Sequence, residues 1–437
     1  MNILLLTPGT GNFHCGSCLR DHAMVKALRT AGHDARLVPM YLPQVFDIPA
    51  ADTTSGEIFF GGINVYLQQK IGMFRQTPRW FDRWFDAPVL LRSIAGLAGM
   101  ASARAMGQIT VSMLKGEHGR QAKELDRLID WIQQTQEPDV ICLNNALLLG
   151  LARRLKERLA IPVVCTLHGE DAFIDTLPAP YSEQTWDELG RRMVDADALI
   201  AVSHYYANVM RDRVGLELRF PDVVYNGIAV TCFQPAPAPP EHPTIGYLAR
   251  LHPDKGLGQL ADAYINLKYR DATNNVRLCV IGAQTPADRR FVQKIRTRLE
   301  RAHVAGDVRW HINVSHGEKA ALLHSLSVLS VPATYGEAFG LYLLEAWACG
   351  VPVVQPRSGA FTELLEMTSA GILCKPDDTE SLADALFQAL TNREESAQMG
   401  RRGRIAVLEQ FTDEQMADRF LSVLRRVVEG GGQCNGL

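Results

Sequence analysis

Two glutamates separated by seven residues carry the clearest chemical signal in this sequence. Glu337 and Glu345 lie on either side of Gly340. If Phe339 and Gly340 begin a helix, the free N–H groups at its start, including that of Leu341, attract an anion. Glu337 would then lie in the loop before the helix and Glu345 on its first turns, so both carboxylates could contact one ligand. A sugar nucleotide has this shape, because hydroxyl groups flank its diphosphate at both ends.

Two cations that follow a predicted strand could hold the diphosphate. Arg250 and Lys255 stand at either end of the connection between a strand ending near Tyr247 and the next helix. Permanent positive charges there can neutralise a diphosphate when it binds, and again when it leaves with added negative charge. The alternative is that both are ordinary solvated loop side chains.

The first half of the chain contributes a histidine and a glycine. His168 follows the predicted strand Val163–Leu167, and Gly169 after it permits close backbone approach. A lone histidine is more often structural, but its place at a strand end favours a role in binding. Gly16 is predicted at a helix N-terminus behind the first strand, where it would face phosphates or an acceptor.

Apolar strand-like runs alternate with helical patterns almost throughout, which predicts parallel α/β architecture. Strands are predicted near Ile3–Leu6, Ala35–Pro39, Val140–Leu143, Val163–Leu167, Leu199–Val202, Val223–Tyr225, Thr244–Tyr247, Arg277–Ile281, Val308–His311, Val328–Val331, Val353–Gln355 and Gly371–Cys374. They predict two doubly wound, Rossmann-like sheets that face each other across a ligand cleft at the carboxyl ends of the strands.

A proline-rich segment divides the two series of strands. Residues 235–243 are too rich in proline for a strand or helix and are predicted to form a semi-rigid linker. We therefore predict a first domain at 1–234, a second at 244–411, and a C-terminal helix and tail at 412–437.

Residues 70–118 interrupt the alternation of the first domain. Aromatic side chains come first, followed by a stretch of low charge from Ala87 to Met113. One hypothesis is a membrane-docking or lipid-acceptor surface. The other is a helical insertion that packs on its own domain. Asp82 and Asp86 offset the nearby arginines, which favours the insertion.

Composition narrows the class of protein. A chain of 437 residues predicts two or three domains, and a net charge of −3 gives no indication of a nucleic-acid partner. Nine cysteines, several of them inside apolar runs, indicate buried thiols in a reducing cytosol and not a disulfide framework. The N-terminus lacks a basic leader and is predicted to be a first strand, and no run is long enough to span a membrane. Peripheral contact with the inner face of the membrane stays open.

A metal or redox site near the N-terminus is a rival interpretation. Cys15 and Cys18 have the spacing of a redox motif, and with His14 and His22 they could hold zinc. No second cysteine pair or distant histidine pair accompanies them, and the chain is too long for a thioredoxin-like fold. No metal ligand is therefore predicted, and the role of Cys15 and Cys18 is left open.

The segment from Tyr335 to Val354 resembles the signature of the family-four retaining glycosyltransferases (glycosyl transferases group 1), which have the GT-B fold. The resemblance implies that Glu337 lies beside the donor sugar and that Glu345 binds the ribose hydroxyls. His168 resembles the family histidine that contacts the donor sugar.

The segment from Gly246 to Gly256 resembles the family's diphosphate-binding segment, which assigns Arg250 and Lys255 to the diphosphate. Ala249 replaces the glycine that the family usually has before the arginine.

The resemblance implies a retaining enzyme that moves a hexose-type sugar from a nucleoside diphosphate to an unidentified acceptor. The leaving phosphate would accept the acceptor's proton, without a covalent enzyme intermediate, a cofactor or a divalent ion. The last helix would cross back to the first domain. A UDP-sugar is favoured over a GDP- or ADP-sugar, and the oligomeric state is open. A nucleotide-sugar epimerase, a phosphorylase-like enzyme with pyridoxal phosphate and a non-catalytic sugar-nucleotide sensor remain alternatives.

Overall fold

Two parallel β-sheets of six strands form the framework. The computed structural model describes residues 1–8, 16–40, 103–215 and 221–431. The strands are β1 (Asn2–Thr7), β2 (Asp34–Pro39), β3 (Val140–Leu143), β4 (Val163–Leu167), β5 (Ala198–Ala201), β6 (Asp222–Val223), β7 (Thr244–Leu248), β8 (Arg277–Gly282), β9 (Val308–Ile312), β10 (Val328–Leu329), β11 (Val353–Pro356) and β12 (Gly371–Cys374). Each coincides with a predicted strand, and no end differs by more than about two residues.

Helices follow most of the strands, as parallel connections require. They are α1 (Gly16–Thr30), α2 (Ala103–Leu114), α3 (Ala122–Thr135), α4 (Ala152–Leu159), α5 (Asp171–Ile174), α6 (Tyr181–Met193), α7 (His204–Val214), α8 (Leu257–Lys268), α9 (Arg289–Arg301), α10 (His316–Leu323), α11 (Leu341–Ala348), α12 (Ala360–Thr368), α13 (Thr379–Thr391), α14 (Arg393–Gln410) and α15 (Asp413–Gly431). The prediction of two Rossmann-like α/β domains is confirmed.

The first sheet has the strand order β2-β1-β3-β4-β5-β6. Its central strands are buried over their whole length, which explains their continuous apolar sequences. Leu6 pairs with Leu143, and Leu143 pairs with Cys165. The carboxyl ends of β1, β3 and β4 therefore lie side by side.

The second sheet has the strand order β12-β11-β10-β7-β8-β9. Strand β7 lies between β10 and β8, so the strand order reverses beside β7. A doubly wound sheet opens a crevice for ligands at such a point, outside the carboxyl ends of the strands. The order also makes the loop after β7 and the loop after β10 neighbours, although the sequence separates them by about eighty residues.

The chain divides into two compact units, Met1–Val224 with Ala417–Leu437, and Tyr225–Met416. The proline-rich segment at 235–243 falls within the second unit. The last helix begins at Asp413, and its part from Ala417 onward belongs to the first unit, where Arg426 forms an ion pair with Asp222.

The predicted insertion at 70–118 lies mostly outside the described residues. Its described part forms α2 and a short 3-10 turn at Gly116–His118. Among the residues that the structure covers, no helix is both long and apolar enough to cross a membrane.

Candidate functional site

A glycine fixes the loop after β7 against the segment after β10. Gly256 has φ 73°, and a Cβ atom at this position would overlap the carbonyl oxygen of Pro332. The backbone N–H of Thr334 donates to the carbonyl of Asp254 at 2.9 Å. Because the two backbones touch here, Lys255 on the first loop faces the side chains that follow β10.

Glu337 is surrounded by three hydrogen-bond donors that all reach its Oε2 atom. Lys255 Nζ donates at 2.5 Å, and the hydroxyls of Tyr335 and Tyr342 donate at 3.1 and 3.2 Å. Lys255 also donates to the Tyr335 hydroxyl and lies 4.8 Å from the centre of its ring. The carboxylate is thus held in one orientation, paired with a cation and partly shielded from solvent.

The two tyrosines stay protonated and act as donors. Burial raises the pKa of Tyr335, and the negative charge of Glu337 raises it further, while the positive charge of Arg250 opposes both. Burial and Glu337 raise the pKa of Tyr342 in the same way. Glu337 therefore keeps both hydroxyl donors across the whole physiological pH range.

A second glycine holds the backbone of Glu337. Gly359 has φ 59°, and a Cβ atom there would lie 2.6 Å from the Glu337 nitrogen and 2.7 Å from its carbonyl oxygen. The N–H of Ala360 donates to the same carbonyl at 2.9 Å. Gly359 and the N–H of Ala360 thus clasp the backbone of Glu337, a contact that the sequence alone did not show.

The helix α11 begins at the predicted place. Gly340, at φ 91°, is its N-cap, and no side chain of the described residues caps the N–H groups of its first turn. Phe339 is buried and packs 6.3 Å from the ring of Phe411, which anchors the helix start. Leu341 is the first helical residue. Uncapped N–H groups and the positive end of the helix dipole together form a site for an anion.

Glu345 has its own lysine, which sequence analysis did not find. Lys319 Nζ donates to Glu345 Oε1 at 2.5 Å, and both side chains are largely buried. Lys319 lies in α10 and also contacts the ring of Phe233, 5.5 Å from its centre. Nothing local in the sequence connects Lys319 with a glutamate twenty-six residues away.

Arg250 is a cation of the second unit whose side chain is available for a ligand. Its side chain is exposed and, among the described residues, has no hydrogen bond or ion pair. Its positive charge nevertheless reaches Tyr335 and Tyr247, whose hydroxyl donates to the Arg250 carbonyl at 3.1 Å. The structure therefore brings Arg250, Lys255 and Glu337 to the same end of the sheet.

In the first unit, a buried carboxylate builds the loop of His168. Glu170 accepts hydrogen bonds from the N–H groups of His168, Gly169 and Ala146 at 2.8 to 3.0 Å, and from the Tyr206 hydroxyl at 2.8 Å. Gly169 has φ 104°, which the loop requires. Sequence analysis singled out His168 but missed Glu170.

His168 is held as a neutral imidazole. Burial lowers the pKa of His168 well below its ordinary value of 6.5, and the positive charge of Arg20 lowers it further. Its Nε2 atom is buried and has no hydrogen-bond partner among the described residues. A neutral ring can donate or accept a hydrogen bond but adds no positive charge to a site.

The remaining predicted residues lie near the start of α1. Gly16 is the first residue of this helix and is exposed. Cys18 is buried, whereas His14 and Cys15 lie outside the described residues. Within the described ranges, no three histidine, cysteine or acidic side chains are grouped to hold a metal ion.

Two family models match consecutive parts of the chain. The model described as Glycosyltransferase Family 4 matches residues 107–231, and the model described as Glycosyl transferases group 1 matches residues 232–406. The second match contains all the predicted donor-binding residues of the second unit.

Two of the named relatives are synthases. N-acetyl-alpha-D-glucosaminyl L-malate synthase of Bacillus anthracis is 37% identical over 106 residues, which are 24% of this chain and only 28% of that protein. Glycogen synthase of Mycobacterium tuberculosis is 26% identical over 419 residues, 94% of this chain and 91% of that protein.

A solved structure matches nearly the full length of the chain. The crystal structure of Anabaena HepE in complex with UDP-glucose has a TM-score of 0.67 and 17% identity, and the match covers 97% of this chain and 100% of that one. At this identity the likeness shows the fold alone. The two family models together span residues 107–406, more than two thirds of the chain, and show that it belongs to the glycosyl transferases of group 1, while the likeness to HepE shows the GT-B fold.

Proposed function

We propose that the protein is a retaining glycosyltransferase that moves a hexose-type sugar from a nucleoside diphosphate to an acceptor. The observation that carries this proposal is the junction of the loops after β7 and β10, where Lys255 meets Glu337 and Arg250 stands beside them. A diphosphate needs two cations, and a sugar that departs from it needs an anion beside its anomeric carbon.

Each group has a role that follows from its surroundings. Arg250, whose side chain has no partner among the described residues, binds the diphosphate, and Lys255 can exchange Glu337 for a phosphate oxygen when the donor arrives. The uncapped N–H groups that follow Gly340 supply further hydrogen bonds to phosphate. Glu345 binds the ribose hydroxyls, and its ion pair with Lys319 holds the carboxylate in a fixed orientation.

The chemical step is the loss of the diphosphate from the anomeric carbon. Negative charge grows on the phosphate as the bond breaks, and the cations stabilise it without moving far. Positive charge grows on the sugar, and Glu337 stabilises it as a fixed carboxylate. The departing phosphate oxygen takes the proton of the acceptor hydroxyl, which attacks the same face.

His168 is proposed to contact the donor sugar, supported by its position after β4 and its neutral ring. Since HepE was crystallised with UDP-glucose, UDP-sugars are the first donors to test, ahead of GDP- and ADP-sugars. The cysteines of the described residues are mostly buried and form no disulfides with one another, which supports a cytoplasmic location.

The test compares the two glutamates. Glu345→Ala should weaken UDP binding by about ten- to a hundredfold, since it removes hydrogen bonds to a charged acceptor. Glu337→Ala should lower kcat by about a hundredfold or more with a smaller effect on binding, because it removes a group that acts in the transition state. Calorimetry of UDP binding and the rate of UDP release from the best UDP-sugar measure the two effects.

Glu366→Ala is the control, because Glu366 is exposed and pairs only with Arg357 on the surface among the described residues. It should behave like the wild type in both assays. Unchanged binding and turnover in both site variants would refute the assignment. Return of the donor as an isomer, without any acceptor, would instead identify an epimerase.

A further inference from the structure

A cluster of buried polar atoms in the first unit lacks hydrogen-bond partners within the part of the chain that the structure describes. Among the described residues, these atoms are Nε and Nη2 of Arg20, Nδ2 and Oδ1 of Asn144, Oγ1 of Thr166 and Nε2 of His168. Arg20, Asn144 and Thr166 are at most 1% exposed. An unpaired buried polar group is costly, so a cluster of them calls for a ligand or ordered water.

The sheet register places these side chains on one face. Leu6, Leu143 and Cys165 form one row across β1, β3 and β4, so the next residues, Thr7, Asn144 and Thr166, form the following row. Residues in one row of a parallel sheet point to the same side. The Thr7 hydroxyl donates to Asp21 of α1 at 2.8 Å, so this is the side that α1 covers.

Arg20 enters the same space from α1. Its positive charge acts on Cys142, two residues before Asn144, and on His168, directly after β4. Asp21 engages its Nη1 atom at 3.1 Å, which leaves Nε and Nη2 as two neighbouring donors. Buried arginines are normally bonded on both edges of the guanidinium group.

We propose that Arg20, Asn144, Thr166 and His168 form a binding pocket for an anionic oxygen group, a carboxylate or a phosphate, of a small-molecule acceptor. The free Nε and Nη2 edge of Arg20 matches two oxygens of such a group in a planar, bidentate contact. Asn144 and Thr166 add neutral donors, and the unprotonated His168 adds a donor or an acceptor. This inference rests on the proposed function only in naming the ligand as an acceptor.

An anion fits this pocket better than a metal ion or a neutral ligand. Its charged member is a cation, and the two nearby carboxylates are already engaged. Asp21 accepts from Thr7 and Arg20, and Glu170 accepts from four donors around the His168 loop. Ordered water alone could supply the hydrogen bonds that these buried atoms lack. The experiment must therefore distinguish bound water from a bound anion.

The test measures binding of inorganic phosphate and of malonate to the full chain, by calorimetry at constant ionic strength and without donor. We expect one of the two to bind the wild type. Arg20→Lys keeps the positive charge but removes the paired N–H donors of the guanidinium group. Asn144→Leu keeps the volume of the side chain but removes its amide. Each should weaken binding by about tenfold or more, the equivalent of one hydrogen bond to a charged group.

Lys26→Ala is the matched control, because Lys26 is an exposed cation on the same helix. It should bind the probe like the wild type. Tighter binding of phosphate would identify the anionic group of the acceptor as a phosphate, and tighter binding of malonate would identify it as a carboxylate. No binding to the wild type, or equal binding to all four proteins, would overturn the proposal.

A crystal of the wild type soaked in the probe decides the question even if both variants fail to fold. Density for the anion within hydrogen-bond distance of Arg20 Nε and Nη2 supports the pocket, and water alone there refutes it. UDP-sugar binding is measured separately. Its absence would reject the proposed function and leave the anion result standing.

Discussion

At the scale of single residues, the candidate donor site is organised by pairs of opposite charge. Lys255 holds Glu337, and Lys319 holds Glu345. Each pair is largely buried, so the carboxylate is oriented before any ligand arrives. Preorganised charges of this kind favour catalysis because they need not rearrange as charge develops in the reaction.

His168 should make the first unit sensitive to acid. Its folded-state pKa lies below 6.5, mainly because of burial, so between the two values the unfolded chain binds a proton that the folded chain does not. Its contribution to stability is therefore complete above pH of about 6.5 and is lost as the pH falls toward the folded pKa. His168→Gln should flatten the decline of the melting temperature between neutral pH and about pH 5.

The measurement is a series of thermal melts over this pH range. His33 and His316 also have lowered pKa values, mainly because of burial, and they contribute equally to wild type and variant. His242→Gln, at a more exposed histidine, should leave the slope unchanged. A slope for His168→Gln identical to that of the wild type would show that burial does not suppress protonation of this ring.

At the scale of elements, the loop after β7 depends on a glycine with positive φ. Gly256→Ala should destabilise the second unit by more than the cost of about 1–2 kcal/mol for a left-handed backbone, because the new Cβ also overlaps Pro332. It should also weaken UDP binding, since it displaces Lys255. Urea unfolding and calorimetry measure the two effects.

Gly258→Ala is the internal control for that prediction. Gly258 lies two residues further on, inside α8, where a Cβ atom would have Ile295 at 3.8 Å as its nearest neighbour. Alanine in a helix is favoured over glycine by about 1 kcal/mol, so this variant should be as stable as the wild type or more stable. Equal destabilisation by both alanines would indicate that this region rejects any side chain and would contradict the special role of Gly256.

The elements themselves could be predicted because their signals are local. Continuous apolar runs bounded by turns located all twelve strands of the described residues. Strand β10 ends two residues earlier than predicted. There the N–H of Val331 donates to the side chain of Gln355 in β11 at 3.3 Å and not to a backbone carbonyl of a neighbouring strand, and Pro332 follows. A side-chain competitor of this kind leaves no trace in the apolar pattern.

The candidate site was only partly predictable, for a related reason. Glu337, Glu345, Arg250 and Lys255 stand in motifs whose spacing is visible along the chain. The partners of the two glutamates do not stand in such motifs. Lys319 and the Gly359 clasp come from other segments and contact the glutamates only in the folded sheet. The register and the order of the strands decide these contacts, and neither can be inferred from a single sequence.

At the scale of the whole molecule, the two units divide the polar groups between them. The residues proposed to bind the nucleotide and diphosphate in the second unit all lie between Tyr225 and Met416, whereas the orphan cluster around Arg20 lies in the first unit. Each unit thus has its own set of groups suited to an anion, and the two sets can be examined with different ligands.

Hydrogen exchange with UDP alone should therefore separate the units. We expect slower exchange of backbone amides at 250–257, 316–320 and 335–346, because the ligand orders the loops and helix starts that bear the cations and glutamates. The first residues of β8 and β9 serve as the reference, because they lie at the amino ends of the parallel strands, at the opposite edge of the sheet from these loops. The Glu345→Ala protein should lose most of the effect at the same UDP concentration. Protection concentrated between Met1 and Val224 would place the nucleotide on the wrong unit and refute the assignment of Arg250, Lys255 and Glu345 together.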